Sequence, residues 1–188
     1  MNTLVSITSV IKDKILDKIE NLYYNNYDTV DRLYKENDLY HHVSETCNNY
    51  LSEPTHIIDN IYLGNAINAC NIETLDKFKI KSIINVTEEI PNYFKDNENL
   101  NYLKIPIRDN QNASLSEYHD QLINFFEDNS NNNILVHCYM GISRSTCVVL
   151  LYLIKKFNYN LDDAIDYVKT KRNIINPNIL LYNELKNL

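Results

Sequence analysis

Between residues 137 and 145 the chain reads His137-Cys138-Tyr139-Met140-Gly141-Ile142-Ser143-Arg144-Ser145. The run just before it, residues 134–137, is apolar and predicts a short strand. Residues 145–157 just after it are apolar on nearly every face and predict a buried helix. A turn from strand to helix aims successive backbone N–H groups into one concavity, and the helix N-terminus adds about half a positive charge. Such a nest suits a tetrahedral dianion. Gly141 permits the tight turn, and Arg144 offers a planar fork to two phosphate oxygens. Helix N-termini and nearby cations also favour the thiolate form of a cysteine, which is the nucleophile. One loop would therefore bind a phosphoryl group and hold Cys138 beneath it. In-line attack gives a phosphocysteine, which water then hydrolyses.

A cysteine five residues ahead of an arginine is by itself a weak signal. A buried Cys at a strand end is commonly a small hydrophobe, and an Arg at a helix start is commonly solvated. The longer pattern His-Cys-x-x-Gly-x-x-Arg is expected by chance in roughly 2 of 100,000 chains of this composition. That rarity favours the catalytic reading of Cys138 and Arg144. The chain has only two glycines, Gly64 and Gly141, where usual composition would give about thirteen. Glycine is thus expected where a Cβ cannot be accommodated. Ser145 either caps the early helix or assists the sulfur. His137, next to Cys138 on a strand, points to the opposite face and is expected to brace the loop. A leaving oxygen needs a proton, and Asp109 stands just past the apolar run 102–107. If strands 102–107 and 134–137 are parallel, their carboxyl ends open on one crevice. Asp120 and Asp128 compete for that role, and a plain turn residue is the bland reading of Asp109.

The elements that must position these residues follow from pattern. Residues 56–64 read as two short strands around an Asp-Asn turn. A helix over 65–79, a strand over 81–86 and a strand over 102–107 come next. Ser114-Leu115-Ser116-Glu117 has the form of a capping box opening a helix to Asp128. Asn160 can cap a helix over 161–171, and a last helix starts near Asn178. Alternation of strands and helices predicts an α/β domain with parallel central strands.

Composition sets further bounds. The 188 residues carry 18 basic against 25 acidic side chains, a net charge of −7. That suits one domain rather than two and argues against nucleic acid as a partner. No apolar run approaches a membrane span, and the N-terminus lacks the form of a secretory signal. Cys47, Cys70, Cys138 and Cys147 show no metal-type pairing and read as free thiols of a reducing compartment, cytoplasmic or nuclear. Cys70 and Cys147 read as core, with a redox partnership for Cys70 as the alternative. His41, His42 and His119 suggest no metal site, and no cofactor is expected. The Asn-rich stretch 129–133 reads as compositional bias rather than function.

His137 to Ser145 resembles the active-site signature of cysteine-dependent protein tyrosine phosphatases, and within them the dual-specificity protein phosphatase group. The similarity covers residues 55–188. Residues 57–64 resemble that group's opening hairpin, residues 105–110 its acid loop and residues 174–178 its C-terminal signature. The resemblance implies a central mixed sheet of about five strands, mostly parallel, flanked by helices. It implies Cys138 as nucleophile and Asp109 as general acid. Arg144 and the loop from Tyr139 through Met140, Gly141, Ile142 and Ser143 would bind the phosphate, and Ser145 would stabilise the departing thiolate. It also suggests loop support for Asn178, with a plain helix cap as the alternative. Where the group usually has Gly-Phe after that Asn, this chain has Leu180-Leu181.

The absence of Trp removes the Trp-bearing acid loop of phosphotyrosine-only enzymes. An uncharged phosphate loop in an acidic chain favours a phosphoprotein substrate with both phosphotyrosine and phosphoserine/phosphothreonine. The alternatives are an RNA 5′-triphosphate, for which Lys104, Arg108 and Arg172 would supply a basic surround, a phosphoinositide, or a phospho-binding pseudophosphatase. Residues 1–53 match nothing in the group and read as an N-terminal helical extension to a catalytic domain over 54–188. The stripe Ile7, Ile11, Ile15 and Ile19 predicts a helix over 4–24. That helix would pack on the parent domain or contact a homodimer mate or other partner.

Overall fold

A computed structural model describes residues 52–188. The expected helix over 4–24 and nearly all of the polar stretch 27–52 lie outside the described residues. The hairpin forms as expected, with β1 (Thr55–Ile58) antiparallel to β2 (Ile61–Gly64). Asp59 sits at φ +45° in the turn, a conformation Asp tolerates better than most residues. The predicted helix over 65–79 is instead two short helices, α1 (Ala66–Cys70) and α2 (Ile72–Lys77). Asn71 breaks it, because its extended backbone leaves the helix while its side chain accepts from the Thr74 N–H at 3.1 Å.

Strand β3 (Ile80–Asn85) leads to β4 (Asn101–Lys104), which ends three residues earlier than the apolar run suggested. Pro106 lacks the N–H a ladder needs, and it biases the residue before it. One further bond, Ile105 N–H to Asn85 O at 2.9 Å, carries the chain out of the sheet and over its carboxyl edge. The expected capping box at Ser114 does not form. Ser114 Oγ accepts from the Ser116 N–H instead, and a 3₁₀ turn (Ser116–Tyr118) precedes α3 (His119–Asp128). Strand β5 (Asn133–His137) and helices α4 (Arg144–Phe157), α5 (Leu161–Lys171) and α6 (Ile179–Lys186) complete the unit. Asn160 caps α5, accepting from Asp163 N–H at 2.8 Å.

The strand order is β1-β2-β5-β3-β4, antiparallel only between β1 and β2. This is the mixed, mostly parallel five-stranded sheet that the family resemblance implied. Strand alternation sends Ile134 and Val136 to one face and Leu135 to the other. The first face meets α3, α4, α5 and α6, and the second meets α1 and α2. Helix α4 lies centrally, packed on β5, β2, α3, α5 and α6, and is buried without a break from Arg144 to Leu153. The Asn-rich stretch is not idle. Buried Asn129 accepts from Ser82 Oγ at 2.7 Å and from Asn101 Nδ2 at 2.9 Å, and so ties the end of α3 to β3 and to the start of β4.

Candidate functional site

The parallel strands β4 and β5 point their carboxyl ends the same way, and the loops leaving them meet there. Residues 138–143 wind from β5 into α4. Gly141 has φ +70°, and a Cβ there would lie 2.4 Å from the carbonyl oxygen of Gly64. The chain's two glycines therefore face each other where the loop crosses β2. Four carbonyls of the loop are tied outward. Tyr139 O accepts from Ala66 N–H at 3.1 Å, Ile142 O from Asn176 N–H at 2.9 Å and Ser143 O from Cys147 N–H at 3.1 Å. Gly141 O accepts from Arg172 Nε at 3.0 Å. In a planar trans peptide the next N–H points opposite to each carbonyl, so the amides of Met140, Ile142, Ser143 and Arg144 turn inward.

Cys138 lies at the floor, 2% exposed. Its Sγ accepts from the Gly141 N–H and from Ser145 Oγ, each at 3.2 Å. Arg144 opens α4 with its side chain 5% exposed. Burial opposes its charge, but the bond to Glu89 and the charges of Cys138, Glu89 and Asp109 outweigh burial and hold the guanidinium protonated. His137 is fully buried, with Nδ1 within 3.2 Å of Cys138 O. Desolvation, opposed by that bond and aided by the charges of Lys104 and Arg144, pushes its ring down to about 4. The neutral ring thus lies against the backbone at the start of the loop.

Asp109 sits on the other side of the opening. Its Oδ1 accepts from Asn178 Nδ2 at 2.9 Å and from Ser143 Oγ at 3.1 Å, and its Oδ2 stands 3.7 Å from Arg144 Nε. Asn178 also caps α6, accepting from Leu180 N–H at 2.9 Å. Asn178 thus caps α6 with one atom and reaches Asp109 with the other, rather than bonding to residues 138–143. Asp120 lies within α3 and Asp128 ends it. Tyr139, Met140, Ile142 and Ser143 are half-buried around the mouth.

One neighbour, Glu89, escaped the sequence reading, and another, Arg172, was read in a different place. Glu89, in the turn after β3, grips Arg144 through both carboxylate oxygens at 3.1 and 2.9 Å. Burial works against its charge, but its bonds to Arg144 and to backbone amides hold the carboxyl below the usual range. Arg172 is 5% exposed and holds the loop from beneath, so it is not part of a basic surround. The other two basic residues named for that surround are also engaged. Arg108 forms a bidentate pair with Glu88 at 2.6 and 2.7 Å, and Lys104 Nζ donates to Ile90 O. No local pattern announces Glu89, since its partner is 55 residues away.

Cys47 lies outside the described residues, and Cys70 and Cys147 are buried. Burial pushes the Cys147 thiol far up, aided by the charges of Cys138 and Asp109, and burial also raises Cys70. Among the described residues no cluster of His, Cys, Asp or Glu could hold a metal ion, and no helix is long and apolar enough to cross a membrane.

Comparison with known proteins gives one answer. The family model for the dual specificity phosphatase catalytic domain matches residues 61–188. Dual specificity protein phosphatase 9 of Homo sapiens is 40% identical over 136 residues, which is 71% of this chain and 35% of that protein. Dual specificity protein phosphatase 6 of Homo sapiens is 38% identical over 144 residues, 76% of this chain and 38% of that protein. The crystal structure of DUSP15 superposes with a TM-score of 0.67 at 31% identity, covering 72% of this chain and 86% of that one. The chain thus spans little more than a third of the length of the curated relatives named above.

Proposed function

Since the chain belongs to the dual specificity phosphatase family, we propose that it hydrolyses phosphotyrosine and phosphoserine/phosphothreonine monoesters of phosphoproteins through a phosphocysteine. The observation that carries this reading is Cys138 Sγ on the floor of a loop with four carbonyls tied outward, and with N–H and O–H donors 3.2 Å from the sulfur. Cys138 attacks phosphorus in line, and the P–O bond to the leaving group breaks. Asp109 gives its proton to the departing oxygen. The inward amides and Arg144 take the charge on the equatorial oxygens. Asp109, now a carboxylate, accepts a proton from the water that displaces the sulfur. Ser145 Oγ steadies the thiolate as it leaves. The geometry of the half-buried, uncharged mouth fits a phosphoprotein, and the engaged state of Lys104, Arg108 and Arg172 gives no basic surround for a polyanion.

The test is turnover of p-nitrophenyl phosphate, phosphotyrosine peptide and phosphothreonine peptide, with phosphoinositide and triphosphorylated RNA as contrasts. Cys138→Ser should abolish turnover. Asp109→Ala should slow phosphoenzyme formation by about 10²–10⁴. Acid-quenched native protein should carry a phosphocysteine by mass spectrometry. A Cys138→Ser protein that still turned over aryl phosphate would falsify the reading. The unit Glu53–Leu188 is assigned as the catalytic domain. Residues 4–24 are assigned a packing or partner role on the strength of their isoleucine stripe. A change from two copies to one in solution on removal of residues 1–53 supports a homodimer through that segment. The free Cys70, Cys138 and Cys147 fit a reducing compartment.

A further inference from the structure

A guanidinium carries five N–H donors in one plane. In Arg144, Nη1 donates to Glu89 Oε2 at 3.1 Å and to Ile107 O at 2.9 Å, which uses both its hydrogens. Nη2 donates one hydrogen to Glu89 Oε1 at 2.9 Å. Two donors are left, the second hydrogen of Nη2 and the one on Nε. Nε is buried without a hydrogen-bond partner. Glu89 thus fills the end-on edge of the guanidinium, and the two remaining donors run parallel along the side-on edge. That edge looks toward Asp109, whose Oδ2 is 3.7 Å from Nε.

We infer that Glu89 is a positioning residue, clamping the end-on edge of Arg144 so that its Nε/Nη2 fork stays turned to the phosphoryl oxygens. The inference rests on the proposed phosphatase reading of the same site. Glu89 is itself held. Thr87 Oγ1 accepts from Ile90 N–H at 3.1 Å, and Asn85 Nδ2 donates to Ile90 O at 2.8 Å, bracing the turn that carries it. Lys104 Nζ donates to the same Ile90 carbonyl. The Glu89 side chain is 45% exposed against 5% for Arg144, so truncating it opens no core cavity.

Charge and orientation make opposite forecasts. If Glu89 acted only through its charge, neutralising it would strengthen the pull on an anion and tighten binding. If it acts by aiming the fork, the same change lets the guanidinium turn and weakens binding. The experiment uses the full chain as native, Glu89→Gln, Arg144→Lys and the double variant. Tungstate affinity is measured by calorimetry, and p-nitrophenyl phosphate turnover is measured per folded protein. Glu89→Gln should weaken tungstate binding and lower kcat by about tenfold each, the scale of a small misplacement in a catalytic array. In the Arg144→Lys background the same change should alter kcat/KM by less than about twofold, because no fork remains to aim. Unchanged or tighter tungstate binding overturns the inference, as does an equal loss in both backgrounds. Glu89→Ala, read the same way, replaces Glu89→Gln if the latter fails to fold. A native chain inert toward p-nitrophenyl phosphate defeats the phosphatase reading, whereas an active chain with no coupling defeats only the role of Glu89.

Discussion

At the scale of single residues, the two glycines show how backbone geometry limits sequence. Gly141 stands at φ +70° with a Gly64 carbonyl oxygen 2.4 Å from any Cβ it might carry. At Gly64 the nearest atoms to such a Cβ are the side chains of Asn68 and Leu135, at 2.7 and 2.9 Å. Side chains can rotate away, whereas a backbone carbonyl inside a parallel ladder cannot. Gly141→Ala should therefore destabilise by about 2 kcal/mol or more. Gly64→Ala should cost less, measured by denaturant unfolding of both. Gly141→Ala should also cut turnover, since its N–H donates to Cys138 Sγ. A larger loss at Gly64 than at Gly141 would show that the clash is not with the backbone.

Elements place what residues supply. Helix α6 begins at Asn178, whose side chain performs two tasks with different atoms. Oδ1 caps the helix, and Nδ2 holds Asp109. Asn178→Ser keeps a capping oxygen but loses the reaching amide, so stability should stay within about 0.5 kcal/mol. Turnover should nonetheless fall, because Asp109 loses its shorter hydrogen bond. Asn178→Ala removes both and should cost about 1 kcal/mol in addition. Thermal unfolding and kcat, measured on both variants, separate the roles. Equal kcat in native and Asn178→Ser protein would reduce Asn178 to a cap. The short β4 matters at this scale too. Pro106 ends the strand, and the chain it releases carries Asp109 across to Ser143 and Asn178.

For the whole molecule, burial of His137 ties folding to pH. Its ring has been pushed down to about 4 from a usual 6.5. Below pH 6.5 the unfolded chain takes up a proton that the folded one refuses. Stability is thus whole above that pH and is lost as pH falls from 6.5 toward 4, by at most about 3 kcal/mol. Urea unfolding between pH 7 and pH 4.5 should show this slope in the native chain and a smaller one in His137→Gln. Parallel slopes would place the acid sensitivity in the carboxylates alone. The same burial keeps the His137 ring neutral near neutral pH and packed against the Cys138 carbonyl.

By itself the sequence determined the loop from Cys138 to Ser143, the buried helix behind it and the alternation of strands and helices. Each is local: a Gly-Arg spacing across one turn, an apolar period, a β-branched run. By local pattern Asp109 was one choice among several, and the acid-loop resemblance pointed to it. What brings it to the mouth of the loop is parallel pairing through β3, which no short-range pattern encodes. Glu89 on Arg144, Arg172 beneath Gly141 and the Asn129 network were decided by tertiary structure alone. These contacts join segments 28 to 55 residues apart. A hydrogen bond across that separation leaves no periodicity in the chain, because its geometry exists only once the sheet has set the distance.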